Sequence, residues 1–258
     1  MSIVREAVVI AGRTVLHWRA RPGVLVVQLL FPVMILLMMG GLFGGAVAGD
    51  TGDYFVYVLP GVLALNMLFG IEGTMAALAS DATKTVTDRL RSLPISPGSV
   101  LLGRVLADLM TSVVELAALS LAGLALGWRW QNGIGPALAA YALLLAFRFA
   151  VLWAGVFLGL RAGSPEALAG VQILVWPVGF VSTVFLDPRT MPGWLGAAAE
   201  LNPLSAVAST ARELFTGTST DGVGWGASHA VPYAIGCQVV LVAVFSVLGV
   251  RAYRALGT

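Results

Sequence analysis

Six apolar runs, at residues 24–45, 54–78, 100–126, 137–160, 168–186 and 231–250, occupy most of the chain and set what it can fold into. Each approaches or exceeds the roughly 20 residues that a helix needs to cross a hydrocarbon layer of about 30 Å. A mean hydropathy of +0.90, with 58% hydrophobic and 11% charged residues, excludes a soluble domain with a solvated surface. No run shows the strict alternation of a lipid-facing barrel strand, so the runs read as helices. The expectation is an all-α membrane protein, a single transmembrane domain over 1–258 with six transmembrane helices.

Ala46-Val47-Ala48 resembles a small-residue cleavage site, but the leader before the first run and the run itself both exceed the usual signal core of about 7–15 residues. An uncleaved anchor is expected. Positive residues near span ends stay in the cytoplasm. Arg5, Arg13, Arg19, Arg21, Lys84, Arg89, Arg91, Arg104, Arg161, Arg251 and Arg254 fall on one side of the six spans, against Arg129, Arg189 and Arg212 on the other. Both termini and the loop around Arg89 are therefore expected inside. Tyr54, Tyr57, Trp128, Trp130 and Tyr233 fall at outer ends and Trp18 and Tyr253 at inner ends, where aromatic belts form. The net charge of +2 is a topology signal with little claim on nucleic acid. The lone Cys237 lies in the sixth run and permits no internal disulfide.

Two segments on the inner side carry helical patterns of their own. In 1–22, Ile3, Val4, Ala7, Val8, Ala11, Val15, Leu16 and Trp18 recur at helical spacing against arginines, which fits an interfacial helix on the inner leaflet or a cytosolic helical flank. His17 there reads as an ordinary interfacial residue. In 84–98, Thr85 or Thr87 can cap a helix start, Val86, Leu90 and Leu93 share one face, and Pro94 ends the element. With Asp88, Arg89 and Arg91 this makes a short charged knob between spans two and three. It is either a docking surface for a cytosolic partner or an ordinary positive loop.

On the outer side, residues 187–230 form a stretch too long to be left unstructured. Residues 192–201 and 204–215 can form two short helices around the Asn202-Pro203 turn, the second with a stripe of Leu204, Val207, Ala208, Ala211, Leu214 and Phe215. A re-entrant hairpin would bury that stripe; a surface loop would expose it. Charges inside the spans are costly unless paired or wetted. Glu115 and Arg148 lie near the middles of spans three and four and can meet as helix-to-helix glue or as part of a polar path. Arg104 and Asp108 are four apart on one face, and Glu72 approaches the inner end of span two. Pro177 beside Trp176 is expected to kink span five. Spacings Gly41/Gly45, Gly123/Gly127 and Gly155/Gly159 permit close helix packing. His17 and His229 fall on opposite faces, so no metal site is expected, and no nucleophile constellation appears.

A phosphate-binding loop needs G-x-x-x-x-G-K-[ST], and the one lysine, Lys84, has no such glycine before it. The chain cannot hydrolyse ATP by that machinery. "RARPG" (19–23), "LFPVMILLMMGGLFGG" (30–45), "DRLRSLPISP" (88–97) and "MPGWLGAAAELNPLSAVASTARELF" (191–215), in that order, resemble the membrane-spanning subunits of type-2 ABC exporters, particularly the daunorubicin-resistance-like branch. The family often has an acidic residue and a glycine before the knob, where "DATKT" stands here.

The resemblance implies the type-2 ABC exporter fold: an N-terminal interfacial helix, six spans, a cytoplasmic coupling helix and an extracellular re-entrant helical hairpin. It makes Thr85, Val86, Asp88, Arg89, Leu90, Arg91, Leu93 and Pro94 the contact to a separate ATP-binding subunit, present in two copies and holding ATP and Mg, with no cofactor in this chain. A second permease copy, identical or related, completes the assembly in the plasma membrane. The path would follow spans one, two and five, with Glu72, Asp108, Glu115, Arg148 and Trp176 as candidates to line it. Trp194, Asn202 and Pro203 are candidates for the outer gate. The implied cargo is an amphipathic drug or antibiotic; a lipid or polysaccharide precursor is the alternative. A stand-alone secondary transporter or scaffold is less favoured, because the spans hold few charges and show no inverted repeat.

Overall fold

A computed structural model describes residues 22–47, 51–83, 97–162, 164–218 and 228–255. The expected interfacial segment up to residue 21 and residues 84–96 of the knob expected at 84–98 lie outside the described residues, while 97–98 open the third helix. Every regular element described is helical: α1 (Pro22–Val47), α2 (Thr51–Thr83), α3 (Pro97–Ala125), α4 (Ile134–Arg161), α5 (Pro165–Phe180), α6 (Gly193–Glu200), α7 (Pro203–Thr216) and α8 (Ala230–Ala255), with a 3-10 turn at Pro188–Thr190. Four stretches are long and apolar enough to cross a membrane, Tyr54–Ala79, Gly98–Ala125, Ile134–Arg161 and Ala230–Ala255. Leu29–Leu42 within α1 and Glu166–Phe180 are shorter apolar helices.

The fifth helix departs from the expected 168–186. It ends at Phe180, and the apolar residues up to Leu186 continue without helix. Pro177 lies inside this helix, where it brings no N–H for the Ile173 carbonyl and its ring crowds the preceding turn. The helix closes one turn later, where Val181 N–H donates to the Pro177 carbonyl at 2.7 Å and Ser182 Oγ donates to the Gly179 carbonyl at 2.6 Å.

α2 is the central post. It packs against α1, α3, α4, α5 and α7, and 78% of its apolar span is buried inside the bundle, against 17% for α8. α4 makes its broadest contacts with α2 and α8. Of the three glycine spacings singled out, Gly155/Gly159 is the one where both members meet a neighbouring helix. A Cβ at Gly155 would lie 3.0 Å from the Ile71 carbonyl oxygen, and one at Gly159 2.7 Å from that of Met75. The two backbones touch because there is no side chain between them, which gives dispersion contact where water cannot drive association. The outward faces of α1, α3, α5 and α8 carry Met34, Val113, Leu174 and Val240, apolar side chains that suit a lipid surround.

Two apolar clusters fill the bundle. The larger runs from Leu36, Met67 and Phe147 up to Trp128, Val207 and Phe215 beneath the hairpin. The smaller joins Leu78, Leu101, Val105, Trp153, Val156 and Tyr253 at the opposite end. Replacing Gly159 with Leu should force α2 and α4 apart at a cost of about 1–3 kcal/mol, the usual range for overpacking. The expected readout is a lower thermal midpoint and less monodisperse protein in detergent; an unchanged midpoint would show that the helices do not touch there.

Candidate functional site

The polar side chains of the bundle gather on facing sides of α2, α3 and α4. Arg104, Asp108, Ser112 and Glu115 fall at successive i+4, i+4 and i+3 steps, so one side of α3 is polar while the rest is apolar. Arg148 reaches that side from the middle of α4. Its Nη2 lies 3.4 Å from Glu115 Oε2, and its Nη1 donates to the main-chain carbonyls of Asn66 and Met67, each at 3.2 Å. Asn66 Nδ2 donates to the same Glu115 oxygen at 3.1 Å. These carbonyls already accept within α2 and use their second lone pairs for arginine. Arg148 and Glu115 are each 4% exposed at the side chain, so the network is sealed.

Gly70 makes this arrangement possible. A Cβ there would fall 1.4 Å from Arg148 Nη1, so the guanidinium occupies the space that any side chain would fill. A second layer lies toward the opposite end, where Asp108 Oδ2 accepts from Thr74 Oγ1 at 2.5 Å and from Arg104 Nε at 3.0 Å. A third lies toward the hairpin, with Tyr141 donating to Ser120 Oγ at 2.7 Å. Asp108, Glu115 and Arg148 thus form one locked column. Glu72 and Trp176 stand apart from it.

At the other end of α2 the residues 181–216 fold down onto the bundle. Asn202 holds the corner: its Nδ2 donates to the carbonyls of Val178 and Val181, at 2.7 and 2.6 Å, while its Oδ1 accepts from Leu204 N–H at 2.9 Å. One side chain therefore satisfies the last carbonyls of α5 and caps the start of α7, where Pro203 takes the first helical position. The predicted stripe of α7 is buried at Leu204, Val207, Ala208, Ala211 and Phe215, with Leu214 half-buried. Trp194, on α6, is 76% exposed and faces away. Asp187 caps the 3-10 turn, and the Arg189 guanidinium beside it holds its carboxyl below the ordinary value.

Arg212, counted in the sequence only as a loop charge, is buried beneath this hairpin. Its Nε donates to the Tyr57 carbonyl at 2.9 Å, its Nη2 to the Thr183 carbonyl at 3.0 Å, and its guanidinium lies 3.8 Å above the Tyr57 ring. The signal that could have found it is helical phase. Arg212 stands four residues after Ala208 and eight after Leu204, inside the apolar stripe. The aromatic residues expected as an interfacial belt also turn inward. Tyr57 and Tyr54 donate to the Thr183 and Phe185 carbonyls at 3.1 and 3.4 Å, Tyr233 donates to the Leu201 carbonyl at 2.6 Å, and Trp128 lies edge-on to Phe215 with only 1% exposure. They pin the hairpin; Trp130 alone of that set stays exposed, at 37%.

The side of the bundle between α1, α2 and α5 is built differently. Phe69 and Trp176 have ring centroids 4.8 Å apart, and Phe31 lies 6.4 Å from the first and 6.0 Å from the second. Trp176 stacks on Phe180 at 5.9 Å, and Phe180 meets Phe185 at 5.8 Å, so rings climb from α1 and α2 along α5 to the hairpin. Glu72 sits one helical turn from Phe69, about 10 Å inside the Ala79 end of its span. Its Oε1 is shielded and has no hydrogen-bond partner among the described residues.

A helical bundle held by a sealed polar column, capped by a folded-back hairpin and apolar on its outer faces, is a membrane permease. Residues 5–216 match the ABC-2 type transporter family, and the chain belongs to it. It is 36% identical, over 94% of its length and 83% of the relative's, to a daunorubicin resistance ABC transporter permease protein of Streptomyces coeruleorubidus. It is 24% identical, over 71% of this chain and 65% of the other, to a probable doxorubicin resistance ABC transporter permease protein of Mycobacterium tuberculosis. A putative transport permease of Pyropia yezoensis is 24% identical over 89% of this chain and 79% of its own. Membership makes the chain a transport subunit that works with a separate ATP-binding subunit.

Two predictions follow from the geometry. Glu115→Gln or Arg148→Gln alone strands a buried charge and should cost about 3–5 kcal/mol, while the double variant should cost less than the sum by on the order of 1–3 kcal/mol. Thermal midpoints of the four proteins test this, and additive losses would show that the pair does not interact. Asn202→Ala removes three hydrogen bonds and should lower stability by about 1–3 kcal/mol. Trp194→Ala on the neighbouring exposed face should stay within about 0.5 kcal/mol of the parent.

Proposed function

We propose that this chain is the membrane-spanning subunit of an ATP-driven exporter that carries an amphipathic, drug-like molecule out of the cell. The observation that carries the reading is the 36% identity to a daunorubicin resistance permease, which extends over 94% of the chain. Two permease copies, identical or related, pair with two ATP-binding subunits that hold ATP and Mg. The protein sits in the plasma membrane with six spans, α1 to α5 and α8, the shorter α5 completing its crossing through the irregular residues to 186. Both termini face the cytoplasm, as the arginine asymmetry requires. The hairpin of α6 and α7 then lies outside, where Asn202 and Pro203 support an outer gate with Trp194 at its rim.

The structure divides into parts suited to such work. α2, α3 and α4 are locked by the sealed column, whereas α5 leans on α2 and touches α1 through Trp176 and Phe31. The segment 84–96 joins two of the locked helices, so force applied there moves α2 and α3 together. Thr85, Val86, Asp88, Arg89, Leu90, Arg91, Leu93 and Pro94 are the proposed contact, with Leu90 and Leu93 entering a cleft of the ATP-binding subunit. The path runs along α1, α2 and α5.

Burying two leucines is worth about 1.5–3 kcal/mol each, so replacing Leu90 and Leu93 together by Glu should weaken the ATP-binding subunit's hold by on the order of a hundredfold or more. The variant should still insert in the membrane but fail to co-purify with that subunit and lose drug-stimulated ATPase activity. An intact, transport-competent complex from the double variant would defeat the proposal.

A further inference from the structure

We propose that Pro60-Gly61 is a joint in α2: the helix tip above it moves with the hairpin as one piece, while the part below it stays with the polar column. From the exporter reading the inference takes only that the subunit moves when its ATP-binding partner works.

The first observation is how the polar contacts of α2 divide. Above the pair, Tyr54 and Tyr57 donate to the Phe185 and Thr183 carbonyls, and Arg212 donates to the Tyr57 carbonyl and lies over its ring. All of these tie the tip to the hairpin segment, and none reaches α3 or α4. Below the pair, Asn66 donates to Glu115, the Asn66 and Met67 carbonyls accept from Arg148, and Thr74 donates to Asp108. All of these tie the helix to α3 and α4, and none reaches the hairpin. Tyr57 and Asn66 are only about 14 Å apart along the axis. One helix therefore belongs to two bodies.

The second observation is what lies between them. Pro60 stands inside α2, where it brings no N–H for the Val56 carbonyl and its ring crowds the preceding turn. Proline is the commonest cause of a sharp bend in a helix. Gly61 follows it, and a Cβ there would fall 2.7 Å from the Val184 carbonyl oxygen, so the irregular segment after α5 lies directly against the joint. Val58, Leu59, Val62 and Leu63 around the pair are buried, so side-chain packing, with one ladder hydrogen bond missing, holds the helix straight there.

The third is where else the hairpin is fastened. Gln131 and Asn132 N–H donate to the Phe215 carbonyl at 2.8 and 3.1 Å, and Tyr233 donates to the Leu201 carbonyl at 2.6 Å. These ties sit at the last residues of α7 and α6. Gly217 and Gly133, with φ of 75° and 87°, flank the first of them, in a backbone conformation that other residues rarely adopt. A piece held at such points and at Pro60 tilts instead of sliding. A straight α2 would carry a push from the 84–96 end rigidly into the column; a jointed one lets the outer tip answer it by tilting. A change of about 20° in the bend, on an arm of about 15 Å, moves the tip by about 5 Å.

The test uses the complete transporter with its ATP-binding subunits in lipid nanodiscs, in a Cys237→Ser background, with one spin-labelled permease copy diluted among unlabelled ones. Distances are read without nucleotide and after trapping with ATP and vanadate. Labels at Trp194→Cys and Ala146→Cys span the joint, and labels at Val113→Cys and Ala146→Cys lie below it. The first distance should change by about 5 Å and the second by less than about 2 Å. Pro60→Ala restores the Val56 hydrogen bond, so its thermal midpoint should hold or rise while the first distance stops changing and transport is lost. Pro60→Gly, which keeps the helix weak at that point, should retain most of the change. Equal changes in the two distances, no change in the first, or a full change in Pro60→Ala would overturn the inference. Should the variants not assemble, the two parent distances decide. A complex that hydrolyses ATP but carries no drug-like compound would defeat the exporter reading and leave the distance test standing.

Discussion

Everything in the bundle is arranged around the burial of one guanidinium. Arg148 lies in the middle of an apolar helix, where an unpaired charge would not be tolerated, and the three helices that meet there are spaced so that it is not unpaired. Glu115 supplies the counter-charge, α2 supplies two carbonyls, and Gly70 supplies the room. These contributions come from α3 and α2, and the arginine itself from α4. The arginine therefore determines the register of all three at once, as a slip of one residue in any of them would strand it. Hydrophobic association could not do this, since lipid tails are as apolar as the side chains that would pack.

The hairpin follows a related logic with backbone in place of counter-charge. The irregular segment after Phe180 exposes carbonyls that no helix satisfies, and unsatisfied carbonyls are not tolerated near hydrocarbon. Arg212, Tyr57, Tyr54 and Asn202 each spend their donors on that segment and the end of α5. A break in a helix thus becomes the anchor of the element above it. The end of α5 leaves these carbonyls open, and the pinning residues collect them.

Much of the scaffold was legible in the sequence because its signals are local. Apolar runs gave the long helices, the spacing of Leu204, Val207, Ala208, Ala211 and Phe215 gave the buried face of α7, and two opposite charges at matching depth gave the pairing of Glu115 with Arg148. What stayed hidden depends on distant partners. Tyr54, Tyr57 and Trp128 look like belt residues until the hairpin arrives more than 80 residues later. Gly70 looks like any small residue in a chain with 31 glycines, because the side chain that fills its place comes from another helix. Arg212 carried a phase signal, but its two acceptors are main-chain atoms and leave no mark in residue identity. The early end of α5 was misread because the residues after it are as apolar as a span.

Asn202 also decides how α5 is suspended. The helix is fastened at its Phe180 end, through Asn202 to α7 and through Arg212 to α2, while along its length it rests against α2 and a few rings. Any displacement of α7 is therefore passed to α5 through a single amide.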